Sequence, residues 1–358
     1  MSLVLVAACG STRTITLEPM HLETLETAHG KQVEVIDPDA LFADGNAAFS
    51  AQDFGEAARK FGLVVDRFPD HRFVPVAAYN AGLALLRIGD AKAALPRFER
   101  ALALTEGSRD GQDALFQIAA CHEVDGAWGA LRATADRILA PHYKGIGVAD
   151  RIAAHATRGR AHEGTGALAL AERDYRAALE LYQKNLEQRG LDKSPAVSLA
   201  QFRIGEIYFQ LFASIRFKLP TDRMARDLED KSNFFLMAQS AYLRTLRLRH
   251  ADWAVVAGFR LGALYEGMYD DMLAAEIPDD LTHEELEIYY DELKSKIRPL
   301  LVRAIDIYER NLRLAQRFGK SDDWLQKTEA SLARLKDVLR AEASREAESQ
   351  LRPIVEAP

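Results

Sequence analysis

His155 and His162 stand seven residues apart, a spacing that puts both imidazoles on one face of a helix and could offer two nitrogens to a metal. No Cys or carboxylate set adjoins them in sequence to complete a site, so the other reading is a pair of packed or solvent-facing histidines. His283-Glu284-Glu285 opens like a zinc-protease motif but lacks the second histidine of HExxH. Asp270-Asp271, Asp279-Asp280 and Asp322-Asp323 are paired carboxylates, the residue type that acid–base chemistry uses. They fall in loops or at helix starts, where a helix N-terminus favours acidic side chains. There is no GxSxG, Walker loop or GxGxxG, and Gly164-Thr165-Gly166 reads as a turn. The two cysteines, Cys9 and Cys121, lack the spacing of a zinc or redox motif, and Cys121 reads as a small buried apolar residue. The chain is therefore expected to be no enzyme, with no catalytic residues, no metal, no cofactor and no small-molecule substrate. An enzyme with a site in the stretches Phe212–Asp230 or Tyr269–Arg298 is the minor alternative, although neither carries a nucleophile–base or metal set.

The elements that would carry such residues are helical. Of 358 residues, 48% are hydrophobic and 28% charged, enough for a sizeable core. The net charge of -7 argues against a nucleic-acid partner, and no run of 18 apolar residues offers a membrane span. Gly45, Gly82 and Ala119 recur every 37 positions, each near the start of an apolar helical run followed by a second amphipathic run. Asp44–Pro69 overlays Ala81–Glu106, matching Gly45 to Gly82, Ala57 to Ala94 and Phe61 to Phe98. The anchor returns at Gly159, Gly205 and Gly262, so later spacings widen to 40, 46 and 57. A period of this size predicts a solenoid, whose units bury their apolar faces on their neighbours.

These residues resemble the tetratricopeptide repeat (TPR), a helix–turn–helix unit of about 34 residues. The resemblance is closest over 38–141 and degenerates over 150–316. It implies an all-α, TPR-type helix–turn–helix solenoid, a right-handed superhelix with a C-terminal capping helix. In that scheme Gly45, Gly82, Gly159, Gly205 and Gly262 let paired helices approach, while Phe61, Phe98, Tyr175, Tyr242 and Tyr308 fill the gap to the next unit. Unit three has Ala119 for glycine and Ala135 at the aromatic position. Turns are expected near Gly55 and at Gly89, Gly126 and Gly166. Units five and six are expected to carry long insertions between their helices, with a turn at Leu219-Pro220-Thr221-Asp222 and an extra helix starting at the capping box Thr282-His283-Glu284-Glu285.

In a TPR superhelix the first helix of each unit lines the concave face, and the residue three before each anchor should point there. That residue is Phe42, Tyr79, Phe116, Ala156, Phe202 or Phe259. With Phe49 and Leu83 the aromatics would form a peptide-binding groove, in which Asn46 and Asn80 hold a ligand backbone. Arg87, Arg160, Arg203 and Arg260 would add positive charge. The other reading of these aromatics is packing alone. The carboxylate clamp of chaperone-binding TPRs is not expected: Phe42 and Asp113 replace its lysines and Gln117 its arginine. An apolar or amphipathic segment suits such a groove better.

Val6-Ala7-Ala8-Cys9 resembles the bacterial lipobox, which implies lipidation at Cys9 and a bilayer anchor. No Lys or Arg precedes the apolar run, a departure from a full signal peptide. With the junction Phe68-Pro69-Asp70 to Gly82, the chain is similar to bacterial outer-membrane TPR lipoproteins, of the envelope-assembly or myxobacterial gliding-motility type. The expected organisation is a lipoprotein-type signal remnant (1–9), a tether (10–37) and regular units one to four (38–185). Degenerate units five and six (186–318), a capping helix (319–347) and a tail (348–358) complete it. The expected function is a non-catalytic scaffold or adaptor that binds a protein segment of an envelope complex, held to the periplasmic face of the outer membrane through Cys9. The alternative is a cytoplasmic TPR regulatory module.

Overall fold

The computed structural model describes residues 21–27, 30–140, 146–248, 250–279, 281–319 and 323–351, with side chains from 37 to 344 of these. The chain divides into two compact units, Met1–Asp125 and Gly126–Pro358.

In the first unit, strands β1 (His21–Thr27) and β2 (Gly30–Ile36) form an antiparallel hairpin with His21 opposite Ile36 and Thr27 opposite Gly30. The stretch expected to be a tether, in which the alternation of Gln32-Val33-Glu34-Val35-Ile36 suits a short strand or extended chain, thus contains a two-stranded ladder with those five residues on its second strand. Five helices follow: α1 (Pro38–Ser50), α2 (Phe54–Arg67), α3 (Val74–Arg87), α4 (Ala91–Thr105) and α5 (Arg109–Val124). Short polar side chains start them. Asp53 accepts from the Glu56 amide at 3.1 Å, Asp90 from Ala93 at 2.9 Å and Ser108 from Gly111 at 3.2 Å, each satisfying an amide with no partner inside its helix. The left-handed turn of the first hairpin falls on Gln52 (φ 62°), whereas Gly55, expected near that turn, lies inside α2. In the second hairpin the turn is at Gly89 (φ 83°), as its residue type favours.

Apolar residues at helical spacing lock the hairpins. On α2, Ala57, Phe61, Val64 and Val65 are buried; on α4, Ala94, Phe98, Ala101 and Leu102. The rings of Phe61 and Phe98 are fully buried, each burial stabilising by about 1.5–3 kcal/mol. A Cβ on Gly45 would lie 2.7 Å from Phe61, and one on Gly82 would lie 2.7 Å from Phe98. Each glycine is where an aromatic of the opposing helix rests on bare backbone.

The second unit holds α6 (Trp128–Leu139), α7 (Val148–Gly164), α8 (Leu168–Gln183), α9 (Pro195–Ser214), α10 (Thr221–Arg247), α11 (Ala251–Leu273), α12 (His283–Arg317) and α13 (Asp323–Leu351). The glycine–aromatic contact recurs between Gly159 and Tyr175, Gly205 and Tyr242, and Gly262 and Tyr308. The spacing from Gly205 to Gly262 widens chiefly through helix length, α10 running for 27 residues, whereas the spacing from Gly159 to Gly205 also takes in the longer connection 184–194 between α8 and α9. Only residues 215–220 separate α9 from α10, so the second helix of that hairpin starts at Thr221, well before the expected region around Ala238. The expected extra helix after Thr282 is the first part of α12, which continues for 35 residues. Its capping box is formed: Thr282 accepts from the Glu285 amide at 3.3 Å, and the Glu285 carboxylate accepts from the Thr282 amide at 2.8 Å. Pro299 lies within α12 on its exposed side, where Ser295, whose carbonyl loses a partner, is also exposed to water.

Lys231, fully buried on α10, closes the end of α9. Its Nζ donates to the carbonyls of Phe212 at 2.7 Å and Ile215 at 3.0 Å and pairs with Asp271 at 2.7 Å. The last helix, α13, packs on α11 and α12, placing Leu332 and Leu335 in a core with Tyr269, Leu301 and Tyr308. Apart from the β-hairpin, the described residues are all-α, a TPR-type fold of helix hairpins closed by a C-terminal helix.

Candidate functional site

In the first unit, α1, α3 and α5 carry the expected groove residues. Asn46 and Arg87 are exposed; Phe42, Phe49, Tyr79, Asn80, Leu83 and Phe116 are half-buried. Much of the aromatic surface is spent on packing. Phe42 stacks on Phe73 at 4.4 Å between centroids and leans on Phe61 at 5.5 Å. Phe49 meets Phe54 edge-on at 5.2 Å, and Tyr79 meets Phe98 edge-on at 5.5 Å.

Tyr79 nevertheless borders open space. A cavity of about 400 Å³ lies beside it, walled by Val76 and Pro75 of α3 and by Asp110 and Asp113 of α5, with Ala101 and Thr105 of α4 beneath. Val76 is 42% exposed, an apolar surface facing solvent at the mouth. Burial pushes the Tyr79 phenol above its ordinary range; the hydrogen bond from Gln117 at 3.4 Å opposes this, and Asp113 and Asp110 add to it. The phenol is thus a neutral donor at physiological pH. Asp113 is shared with Arg109 at 3.2 Å. The walls Val76, Asp110 and Thr105 were not singled out from sequence; Val76, one helical turn before Tyr79, was the readable signal.

In the second unit the expected groove is corrected. Ala156 and Phe202 are buried, at 1% and 4% exposure, and cannot line an open face. Phe202 packs on Trp253 at 5.2 Å and Tyr242 at 5.8 Å. Phe259 likewise sits against Trp324 at 5.4 Å and Tyr308 at 5.8 Å. At these positions the aromatics wedge between hairpins, as the packing alternative had it.

The arginines expected to make this face positive are tied to glutamates, two of them sharing one carboxylate. Arg203 donates to Glu163 at 3.2 Å, Arg160 pairs with Glu163 at 3.6 Å, and Arg260 donates to Glu206 at 2.7 Å. Each glutamate also accepts from the tyrosine that contacts an anchor glycine: Tyr175 to Glu163 at 2.7 Å and Tyr242 to Glu206 at 2.6 Å. The third set repeats the scheme, with Tyr308 and Arg334 both on Glu266, the arginine at 2.6 Å. These carboxylates are nearly buried, so each needs both the phenol and the guanidinium. Burial first, and then the adjacent glutamate, pushes the phenols of Tyr175, Tyr242 and Tyr308 above their ordinary range. Arg87 has no such partner among the described residues.

His155 and His162 converge on Asp174 of α8, at 3.4 and 3.6 Å. Between them Arg158 grips both oxygens of Asp174 at 2.6–3.1 Å and reaches Asp136 at 2.9 Å. Burial alone would raise the Asp174 carboxyl, but the bonds from His155 and Arg158 outweigh it and hold the group below its ordinary value. Among the described residues no group of three or more His, Cys, Asp or Glu could hold a metal ion, and no helix is long and apolar enough to cross a membrane. Cys9 lies outside the described residues. The Cys121 thiol is fully buried, and burial with Asp125 pushes it up to about 11.

No protein-family model and no curated protein matches the sequence. Among solved structures, the chain is similar to the C-terminal part of a TPR repeat-containing protein from Cytophaga hutchinsonii, with 9% identity, 85% of this chain and 98% of that one covered, and a TM-score of 0.45. A TPR repeats protein from Bacteroides fragilis matches at 15% identity over 84% and 99% of the two chains, with a TM-score of 0.32. MamA from Desulfovibrio magneticus matches at 21% identity over 42% and 77%, with a TM-score of 0.35.

Proposed function

We propose that the chain is a non-catalytic scaffold that holds a segment of a partner protein against the α1–α3–α5 face of its first unit. The observation that carries this reading is the cavity of about 400 Å³ at Tyr79, where an exposed valine, a half-buried phenol, two carboxylates and the Arg72 guanidinium converge. An apolar side chain of the partner enters between Val76 and Ala101. The Tyr79 hydroxyl and Asp113 fix a polar atom beside it, while Asn46, Asn80 and Arg87 offer side-chain donors to the partner's backbone. The envelope setting belongs to the same proposal: Val6-Ala7-Ala8-Cys9 supports a lipid anchor at Cys9 and a place on the periplasmic face of the outer membrane.

A photo-crosslinking side chain at position 76, used in cells, tests the binding half. Crosslinks to a partner are expected from position 76 and not from the exposed position 283, and Val76→Glu should cut partner recovery about tenfold while leaving the thermal midpoint in place. Undiminished recovery with both Val76→Glu and Tyr79→Ala would sink it. The anchor half is tested separately by metabolic palmitate labelling, expected in the native chain and lost in Cys9→Ser; a native chain that takes up no label removes the anchor.

A further inference from the structure

We propose that the second unit carries another docking surface, a groove between α8 and α10 floored by α9, and that its occupant is an acidic amphipathic helix of a partner protein. The groove encloses about 490 Å³. Leu179 of α8, Ile204 of α9, and Leu236 and Met237 of α10 give it an apolar stripe, flanked by the polar side chains of Gln183, Gln201 and Tyr208. Leu236 is 57% exposed and Met237 41%, two apolar neighbours in sequence left in water and the most exposed large apolar side chains of α10, ahead of Leu228 and Leu243. Ser240 and Arg244 follow at helical spacing on the same wall.

Charge decides which partner fits. Of the ionic side chains in the lining, Arg176 is bound to Glu172 at 2.6 Å and Glu180 to Lys184 at 2.6 Å. Arg244 is exposed and has no partner among the described residues, so the uncancelled charge of the groove is a single cation at one end. The walls are helices, with no strand edge to pair an extended peptide. An occupant buried there must satisfy its own backbone hydrogen bonds, and a helix does so. From Leu236 to Arg244 the wall rises about 12 Å, roughly two turns of a bound helix. The matching ligand therefore presents apolar residues at i, i+3 and i+4 and a carboxylate near i+7. None of the residues of the proposed first-unit surface takes part.

The test uses the purified full chain and three labelled 14-residue synthetic helices read by fluorescence anisotropy. One carries a leucine stripe with glutamates, one the same stripe with lysines, and one the acidic sequence interrupted by proline. The acidic helix should bind at least tenfold tighter than the other two. Arg244→Glu should reverse the acidic–basic preference, and Leu236→Ser with Met237→Ser should weaken binding about tenfold. Val76→Glu should leave it unchanged. Circular-dichroism melts of these exposed-site variants should match the native chain. Equal binding of acidic and basic helices, indifference to Arg244→Glu, or loss of binding in Val76→Glu would overturn the proposal. So would sedimentation or vesicle flotation showing that the Leu236/Met237 face mediates self-association or binding to anionic vesicles.

Discussion

A Cβ added to Gly82 would sit 2.7 Å from both Cε1 and Cζ of Phe98, a fully buried ring sixteen residues further along the chain. Real Cβ atoms do not come that close to a ring, so helix and ring would have to part. Gly82→Ala should destabilise the first unit by about 1–3 kcal/mol through overpacking, and Phe98→Ala by about 3–5 kcal/mol through the cavity it leaves. The double variant should cost less than the two together, because the new methyl occupies part of the vacated space. Urea unfolding of the four forms measures the coupling.

Arg260 and Tyr242 share the Glu206 carboxylate at 2.7 and 2.6 Å. Arg260→Ala leaves that carboxylate short of its cation in a nearly buried place and should cost about 3 kcal/mol in equilibrium unfolding. Arg260→Met combined with Glu206→Gln should recover a large part of the loss, since no charge then stays buried unpaired.

Alkaline stability follows from groups kept protonated in the fold. The Cys121 thiol rises to about 11, against about 8.5 for a free cysteine. A raised folded value means that its contribution is whole below about pH 8.5 and is lost as pH climbs toward about 11. The phenols of Tyr175, Tyr242 and Tyr308 act with the same sign, starting above about pH 10. Urea midpoints of Cys9→Ser should fall through this window. At pH 8 its remaining thiol should resist an aromatic disulfide reagent until the chain unfolds.

Thr282→Ala removes one arm of the capping box and should cost about 1 kcal/mol, felt at the start of α12. Amide exchange of Glu285 should speed up, while amides near Tyr308 should not change. Thr282→Ser should restore protection.

The repeat was legible because its cause is local and steric. A glycine at a helix crossing and an aromatic on the paired helix leave a mark in composition at fixed spacing. The rings expected to fill the gap to the next unit rest on Gly45, Gly82, Gly159, Gly205 and Gly262 of the paired helices, a contact that the spacing alone does not name. Helix starts were legible for the same reason, as Thr282 and Glu285 show. Pro220 signals a turn, but nothing local says that α10 begins at the next residue and continues to Arg247. The histidine pair was seen, whereas its partner Asp174 belongs to the following helix and is joined to it only by packing.

By itself, then, the sequence determined that paired helices stack, where the glycine-bearing pairs cross and that Thr282 and Glu285 cap a helix, since these depend on side-chain size and neighbours a few positions away. Tertiary structure alone decided which side chains remain available. It turned Phe202 inward against Trp253, tied Arg203 and Arg260 to nearly buried glutamates, and left Val76, Leu236, Met237 and Arg244 open. Burial and charge pairing are settled between helices distant in sequence, and a linear pattern carries no record of which faces meet.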